Sequence, residues 1–471
     1  MNGMKSRVMI LGLALAGLAL AHPGAAQTPQ APPPRPDYRV TRFDENWAAL
    51  RKTGKPEKLD ALKFAPLNAA GSVYLSLGGQ LRGRLESVRN FGLVEGAGRD
   101  DAFELMRALL SADLHLGPHL RLFAEGKQAS AFSRDLPGGK RPLDQDEWEL
   151  QNGFAELSAD GVTARVGRQE LLIGSQRLVS PLDWTNTRRT FEGFRVMAHV
   201  RTLMLDGFLT RPVVIKNTDW NTRDPATVFW GLDVRPFTAA PKFAWDVYGL
   251  VLSQDATTKL WGYTGEHDRL TLGVRTTGEL GKPTLRFEVE GGYQTGTLAD
   301  KDIAAFFAAS DVIKSFPTRT LKPTLGLGLD YASGDGDPAD GKVGTFHHLF
   351  PLAHAYVGYM DVVGRQNLIE ARAATTIAPA PALSARAGLH RFMRASTADA
   401  AYAKAGAVLV KAPGTERGLG TELDLTAAYK MNRHTKLDVG YGHFAPGAFL
   451  ENSSLQAVGS DWGFVSTTFT F

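Results

Sequence analysis

The chain has 471 residues, with 53 Lys and Arg against 49 Asp and Glu, 43% hydrophobic residues, 50 glycines and no cysteine. Charge this close to balance gives no argument for a nucleic-acid partner, whose phosphates demand a basic face. The absence of cysteine excludes disulfide scaffolds and thiolate chemistry, and it suits a chain that crosses an oxidising periplasm.

Residues 1–26 read as a secretory leader: Lys5 and Arg7 start it, Val8 to Ala21 is its apolar run, and Gly24-Ala25-Ala26 is a small-residue cleavage signal. The run is short of the roughly 20 residues that a membrane-spanning helix needs, and no later stretch is long and apolar enough. Export without a helical anchor is therefore expected. Residues 27–71 form a lead-in, opening with the polyproline-like QTPQAPPPRPD of Gln27 to Asp37. Phe43, Trp47 and Leu50 have helical spacing, which predicts a short helix over Asp44 to Lys52. That helix is expected to cap the periplasmic rim rather than to plug a pore.

From Ser72 the period changes to two. Leu75, Leu77, Leu81 and Leu85 share one face, while Tyr74, Ser76, Gln80, Arg82, Arg84 and Glu86 share the other. Met106, Ala108, Leu110 and Ala112 alternate with Arg107, Ser111 and Asp113; after a Gly117-Pro118 turn, Leu120, Leu122 and Ala124 alternate with Arg121, Glu125 and Lys127. The pair reads as a hairpin with one oily and one charged face. The pattern recurs to the end, with short turns such as Asp160-Gly161 and long polar connections such as those after Phe132, Ser333 and Arg394. Short turns on one side and long loops on the other mark an outer-membrane barrel. A soluble sandwich or propeller is the alternative, but no blade-length repeat is present. Residues 72–471, at roughly 22 per strand plus connection, give on the order of 18 antiparallel strands, and a barrel of that size encloses an aqueous lumen. The expected class is thus all-β, a membrane-spanning antiparallel barrel. The last strand, DWGFVSTTFTF, ends on Phe471 with Phe469 and Val465 on the same face; an aromatic terminus of this kind is similar to the signal read by the barrel-assembly machinery of Gram-negative bacteria.

Between Gly167 and Arg195 the sequence is GRQELLIGSQRLVSPLDWTNTRRTFEGFR. Arg168, Arg177, Arg188, Arg189 and Arg195 sit there among Leu, Ile, Val and Phe, and in a closed barrel such cations have a wet place to point only in the lumen. Arg165 precedes them. Strict alternation breaks at Leu171-Leu172-Ile173, where a bulge would decide which arginines face inward.

Several segments resemble the alginate-export family of outer-membrane channels: LDALKFAPL (59–67) running into YLSLGGQLRGRLE (74–86), VGRQELLIGSQRLVSPLDWTNTRRTFEGFR (166–195), LGLDYASGDGD (327–337), FHHLFPLAHAYVGYMDVVGRQNL (346–368) and the Phe471 terminus. The resemblance covers nearly the whole mature chain in order. It implies an 18-stranded monomer in the bacterial outer membrane, bathed by lipid and lipopolysaccharide, whose basic lumen passes a polyuronate outward. A periplasmic export scaffold is an expected partner. Uptake of small anionic solutes by a porin of the same build is the alternative reading.

Polyuronates carry one carboxylate per sugar, so a path for them needs cations that replace lost hydration yet release the chain. Arginine suits this role, because its planar fork meets a carboxylate bidentately and stays charged. On that logic Arg165, Arg168, Arg177, Arg188, Arg189 and Arg195 are the first lumen candidates, with Arg82, Arg84, Arg107 and Lys127 second. Glu170, Asp183, Glu192, Asp113 and Asp206 are the expected orienting acids. The competing role for each arginine is an ion pair across the wall that stabilises the barrel. His347, His348 and His354 lack the framework of a metal triad and read as a folded loop. Asp330, Asp335, Asp337 and Asp340 have oxygen ligands for calcium but not the spacing of an EF-hand, so a solvated turn is expected. No Gly-x-Ser-x-Gly or phosphate-loop motif appears, and neither a catalytic role nor a cofactor is expected; an outer-membrane enzyme would need a compact catalytic cluster near one rim.

Overall fold

The computed structural model describes residues 35–52, 57–237, 242–281, 284–412 and 414–471. The leader and the start of the proline-rich stretch lie outside them. Eighteen antiparallel strands close into a barrel. In chain order they are β1 (Val73–Arg89), β2 (Asp101–Leu116), β3 (Leu120–Phe132), β4 (Asp146–Ala159), β5 (Val162–Gln169), β6 (Phe191–Val200), β7 (Leu203–Val214), β8 (Thr227–Pro236) and β9 (Phe243–Gln254). There follow β10 (His267–Leu280), β11 (Leu285–Leu298), β12 (Lys301–Ser315), β13 (Thr324–Ala332), β14 (Leu368–Ala380), β15 (Leu383–Arg394), β16 (Gly418–Lys430), β17 (Thr435–Pro446) and β18 (Ser460–Thr470). Each pairs with its neighbours in sequence, and β18 pairs with β1 from Gln80↔Thr470 to Arg89↔Asp461, so no wall strand keeps an open edge.

The period-two pattern sorts as its residues require. Leu81, Leu85, Met106, Leu110, Trp230, Leu272, Leu327 and Val465 stand on the outer surface, where lipid replaces water as their solvent, while Arg82, Arg107, Lys127, Asp206, Asp233 and Glu290 are turned inward and buried. At one end the connections are tight. Asp160-Gly161, both at positive φ (48° and 80°), make a two-residue hairpin turn whose twist matches the flanking strands. At the other end lie long loops, among them 133–145, 170–190, 333–367 and 395–417; Ala299-Asp300 is the one two-residue link on that side. By the usual orientation of such barrels, the tight turns face the periplasm.

The lumen is not an empty bore. Leu171, Ile173, Leu178 and Val179 of the third long loop and Phe346, Leu349 and Val357 of the seventh pack with inward residues of the wall, including Phe191, Phe229, Leu250 and Phe307, into one hydrophobic core. The broken alternation at Leu171-Leu172-Ile173 is therefore no bulge in a strand. β5 ends at Gln169 and the chain turns into the barrel, where Leu171 and Ile173 join the core and Leu172 between them is half-buried.

The lead-in differs from expectation. Arg42–Asp44 and Trp47–Lys52 form two short 3-10 turns in place of one α-helix. Nor does the segment only cap the rim. Phe43, 3% exposed, packs edge-on against Phe123 and Phe154 on the inner wall, and the Val40 carbonyl accepts from Arg188 of the third loop at 2.9 Å. A capping helix would leave Phe43 in water; the inward face of β3 and β4 offers it two rings instead.

Candidate functional site

The third loop (170–190) and the seventh (333–367) are locked together inside the barrel. Val179 bridges Ile173 on its own loop and Phe350 on the other. Ser180 N donates to Phe350 O at 3.0 Å, and the Arg189 guanidinium donates to the same carbonyl at 2.5 Å and to Ser180 O at 3.1 Å. Burial without a carboxylate partner lowers Arg189 to about 10.

The arginines of the 165–195 stretch are set against acids. Arg165 meets Glu156 at 2.5 Å, Arg168 meets Glu149 at 2.9 Å and Glu192 at 2.7 Å, and Arg195 holds Asp206 bidentately at 2.8 and 2.7 Å. Arg165 and Arg168 have opposite strand parity, yet both are buried. Gly167 stands between them at φ +134°, where a Cβ would also collide with the Gly153 carbonyl. Arg177 reaches Glu288, Glu290 and Asp311 on β11 and β12. Arg188 holds Glu170 at 2.6 Å and also Asp183. Burial pushes the Asp183 carboxyl up, but Arg188, Arg107 and Arg82 outweigh it and hold the group far below the usual carboxylate range. Lys127 meets Asp146 at 2.6 Å, and Asp113 is taken by Arg121 at 2.7 Å.

Beside this packed half lies a cavity of about 1210 Å³, bounded by β1, β15, β16, β17 and β18 and by residues 37–42 of the lead-in. It reaches the tight turn 431–434 at its periplasmic end. Arg82, Arg84 and Arg107 line it from the sequence-derived set; Arg39, Arg42, Arg386, Lys430, Arg433 and Lys436 add to them, against Asp37, Asp183 and Asp438. Arg82 donates to the Asp183 and Thr185 carbonyls at 3.0 and 2.6 Å, and Arg386 to the Tyr359 hydroxyl at 3.1 Å. These two guanidinium groups bind neutral acceptors. Arg107 meets the Asp183 carboxylate at 2.8 Å, and Arg84 meets Glu86 at 2.7 Å.

A stacked column roofs the cavity. The Arg84 guanidinium lies 4.4 Å from the Trp184 ring, Trp184 stacks on His354 at 3.8 Å, His354 stacks on Tyr359 at 4.6 Å, and Arg386 lies 5.5 Å from Tyr359. It ties β1, both inward loops and β15 together through cation–π and ring contacts.

Sequence reasoning missed Arg365, Arg372, Arg386 and the wall acids Glu149, Glu288, Glu290 and Asp311. Arg372 and Arg386 occupy inward positions of alternating strands, the signal that had picked out Arg82 and Arg107; Arg365 sits in the quoted VVGRQNL run. Asp330 belongs with these pairs rather than with calcium. It meets Arg365 at 2.6 Å and Arg372 at 2.9 Å; Asp335 is buried too and accepts from Asp337 N, so of the four only Asp337 and Asp340 lie in an exposed turn. Among the described residues no three His, Asp or Glu side chains are placed to share an ion. His347, His348 and His354 do not converge: His354 joins the column, His348 is buried in the seventh loop and His347 is half-buried there.

The family model described as alginate export matches residues 73–464, almost all of this barrel. The chain belongs to the alginate-export family. Comparison with curated proteins gives no match. Among solved structures, the chain is similar to three Pseudomonas aeruginosa proteins: OpdG (TM-score 0.59, 13% identity), OpdQ (0.58, 12%) and OpdK solved with vanillate (0.55, 11%). Each comparison covers 84% of this chain and 98% of the other. At such identity the likeness speaks for the fold. Family and fold are those of outer-membrane channels, so this alginate-export family member is an outer-membrane channel.

Proposed function

We propose that the channel passes an anionic polysaccharide of the polyuronate class, or its oligomers, by passive diffusion along the cation-lined cavity. The observation that carries the reading is the lining itself: Arg82 and Arg386 face the cavity without a carboxylate partner, beside Arg39, Lys430 and Lys436, and only Asp37, Asp183 and Asp438 oppose them. Arg82 is buried and spends its fork on third-loop carbonyls, so it adds its charge to the lining, while the more open cations such as Arg386 and Arg39 take a carboxylate in place of water and stay wet enough for release. Arg165, Arg168, Arg177, Arg188, Arg189 and Arg195 serve the same path at one remove. Arg177, Arg188 and Arg189 fix the inward loops, and Arg165, Arg168 and Arg195 brace the wall beside them through Glu156, Glu149, Glu192 and Asp206. Direction is outward in this reading, from a periplasmic scaffold to the surface, with Phe471 serving assembly.

The second reading, entry of small anionic solutes, draws on the likeness to a barrel solved with the small carboxylate vanillate. Polymer-dependent block separates the two. Purified channel in a planar bilayer is expected to show current block by uronate oligomers that lengthens with chain length, and no block by neutral oligosaccharides of equal size. Block by monomeric carboxylates alone favours the solute porin; no block by either refutes both.

A further inference from the structure

The lead-in enters the lumen as a hairpin with both feet at the periplasmic end. One foot is Tyr38, whose hydroxyl lies 3.0 Å from His434 Nδ1 on the turn between β16 and β17. The other is Phe43, wedged against Phe123 and Phe154 on β3 and β4. Between them Val40 reaches the third loop. Residues 36–43 thus cross the mouth of the cavity from one wall to another.

The contacts this crossing makes are of one kind. Arg433, Arg188 and Arg121 each give an Nη2 hydrogen to a backbone carbonyl of the segment: Pro36 O at 2.8 Å, Val40 O at 2.9 Å and Phe43 O at 2.7 Å. Arg188 and Arg121 also hold acids, Glu170 and Asp183 for the first and Asp113 and Glu156 for the second, and in both the other Nη2 hydrogen goes to a carboxylate, Glu170 or Asp113. The segment thus takes the Nη2 hydrogen of Arg188 and of Arg121 that no carboxylate holds, while Arg433 reaches Glu57 of the lead-in with Nη1 at 3.4 Å. Phe43 also covers the Arg165 guanidinium at 4.5 Å. A carboxylate oxygen asks for the same donors as a peptide carbonyl and binds them more strongly, because it is charged.

We propose that residues 36–43 are an autoinhibitory strap. They occupy the bore-facing donors of Arg121, Arg188 and Arg433 and narrow the periplasmic mouth, and their departure opens it and exposes three carboxylate sites. Strap and cargo compete for the same donors, so the proposal rests on the anionic reading for what displaces the strap; the occlusion itself is a property of the chain.

The test is single-channel conductance in potassium chloride, with no uronate present, on a full-length chain lacking only residues 35–44. At least a twofold rise in conductance and a rise in the anion-to-cation permeability ratio are expected. Unchanged values in a correctly assembled barrel, judged by its heat-shifted electrophoretic mobility, overturn the proposal. Where the deletion impairs assembly, Phe43→Ala releases one foot in the intact chain and is expected to add frequent larger-conductance openings; wild-type traces from this variant overturn the strap as well. Because these readouts use only salt, failure of the strap leaves oligomer block untouched, and failure of oligomer block leaves the strap's conductance effect standing.

Discussion

Arg188→Ala tests what the arginines of the third loop are for. The guanidinium bonds Glu170 through Nε and Nη2, both at 2.6 Å, reaches Asp183 with Nη1, and is 3% exposed; Glu170 is 1% exposed. Removing one partner of a buried pair leaves an uncompensated charge and costs about 3–5 kcal/mol. Part of that cost here is relieved by Gln151, which donates to Glu170 at 2.8 Å, so the lower end, about 3 kcal/mol, is the better figure. Glu170 and Arg188 stand at the two ends of loop 170–190, so at about 1.4 kcal/mol per tenfold the ratio of closed to opened loop falls roughly a hundredfold. The wall, held by eighteen paired strands, stays closed. The assay is limited proteolysis of loop 170–190 in lipid micelles, with heat-shifted mobility as the control for the wall. Arg188→Ala should raise the cleavage rate roughly a hundredfold, and adding Glu170→Gln should recover much of it, because the orphaned charge is what costs. Unchanged loop protection in Arg188→Ala would refute the scaffold role, and a double variant no better protected than the single one would refute the charge argument.

Two further outcomes follow from the cavity and the seventh loop. Arg386 is half-buried and bonds only a hydroxyl, so Arg386→Ala should leave the barrel intact and reduce the anion-to-cation permeability ratio. A unit charge roughly 7 Å from the path in water is worth about 0.6 kcal/mol, or roughly a threefold change, measured as a reversal-potential shift under a salt gradient. His347 and His348 are kept neutral by burial and by nearby Arg269 for the first and Arg365 and Arg189 for the second; His348 is lowered to about 3. An undocked loop binds protons at the usual histidine value near 6.5. Docking stability is therefore fully present above about 6.5 and is lost as pH falls toward about 3. Protease sensitivity of the loop should climb between pH 6.5 and 4, and His348→Gln should flatten part of that climb. A flat wild-type profile contradicts the assignment.

The wall was legible in the sequence because lipid on one side and lumen on the other impose a period of two on every strand. Leu81, Leu85 and Arg82, Arg84 fall on opposite faces as their alternation requires, and the turn at Asp160-Gly161 names itself. The lumen was less legible. Arg168 and Glu192 face each other in the register of β5 and β6, but that Arg177 crosses to Glu288 depends on a loop path that no local pattern encodes. Arginines that line a path and arginines that pin a loop look alike in sequence; burial and the identity of the partner tell them apart. The Leu171-Leu172-Ile173 run did carry a signal, since a break in alternation marks where a strand leaves the wall. The lead-in misled because Phe43 and Trp47 have a spacing that suits a helix on a rim as well as two turns inside a mouth.

The central claim is that the cavity under the Arg84–Trp184–His354–Tyr359–Arg386 roof favours anions. Its most direct test is the reversal potential of single channels in a planar bilayer under a tenfold gradient of potassium chloride. A potential displaced toward the chloride equilibrium value, with the displacement reduced in Arg82→Ala and Arg386→Ala, is the predicted result. Displacement toward the potassium value contradicts it.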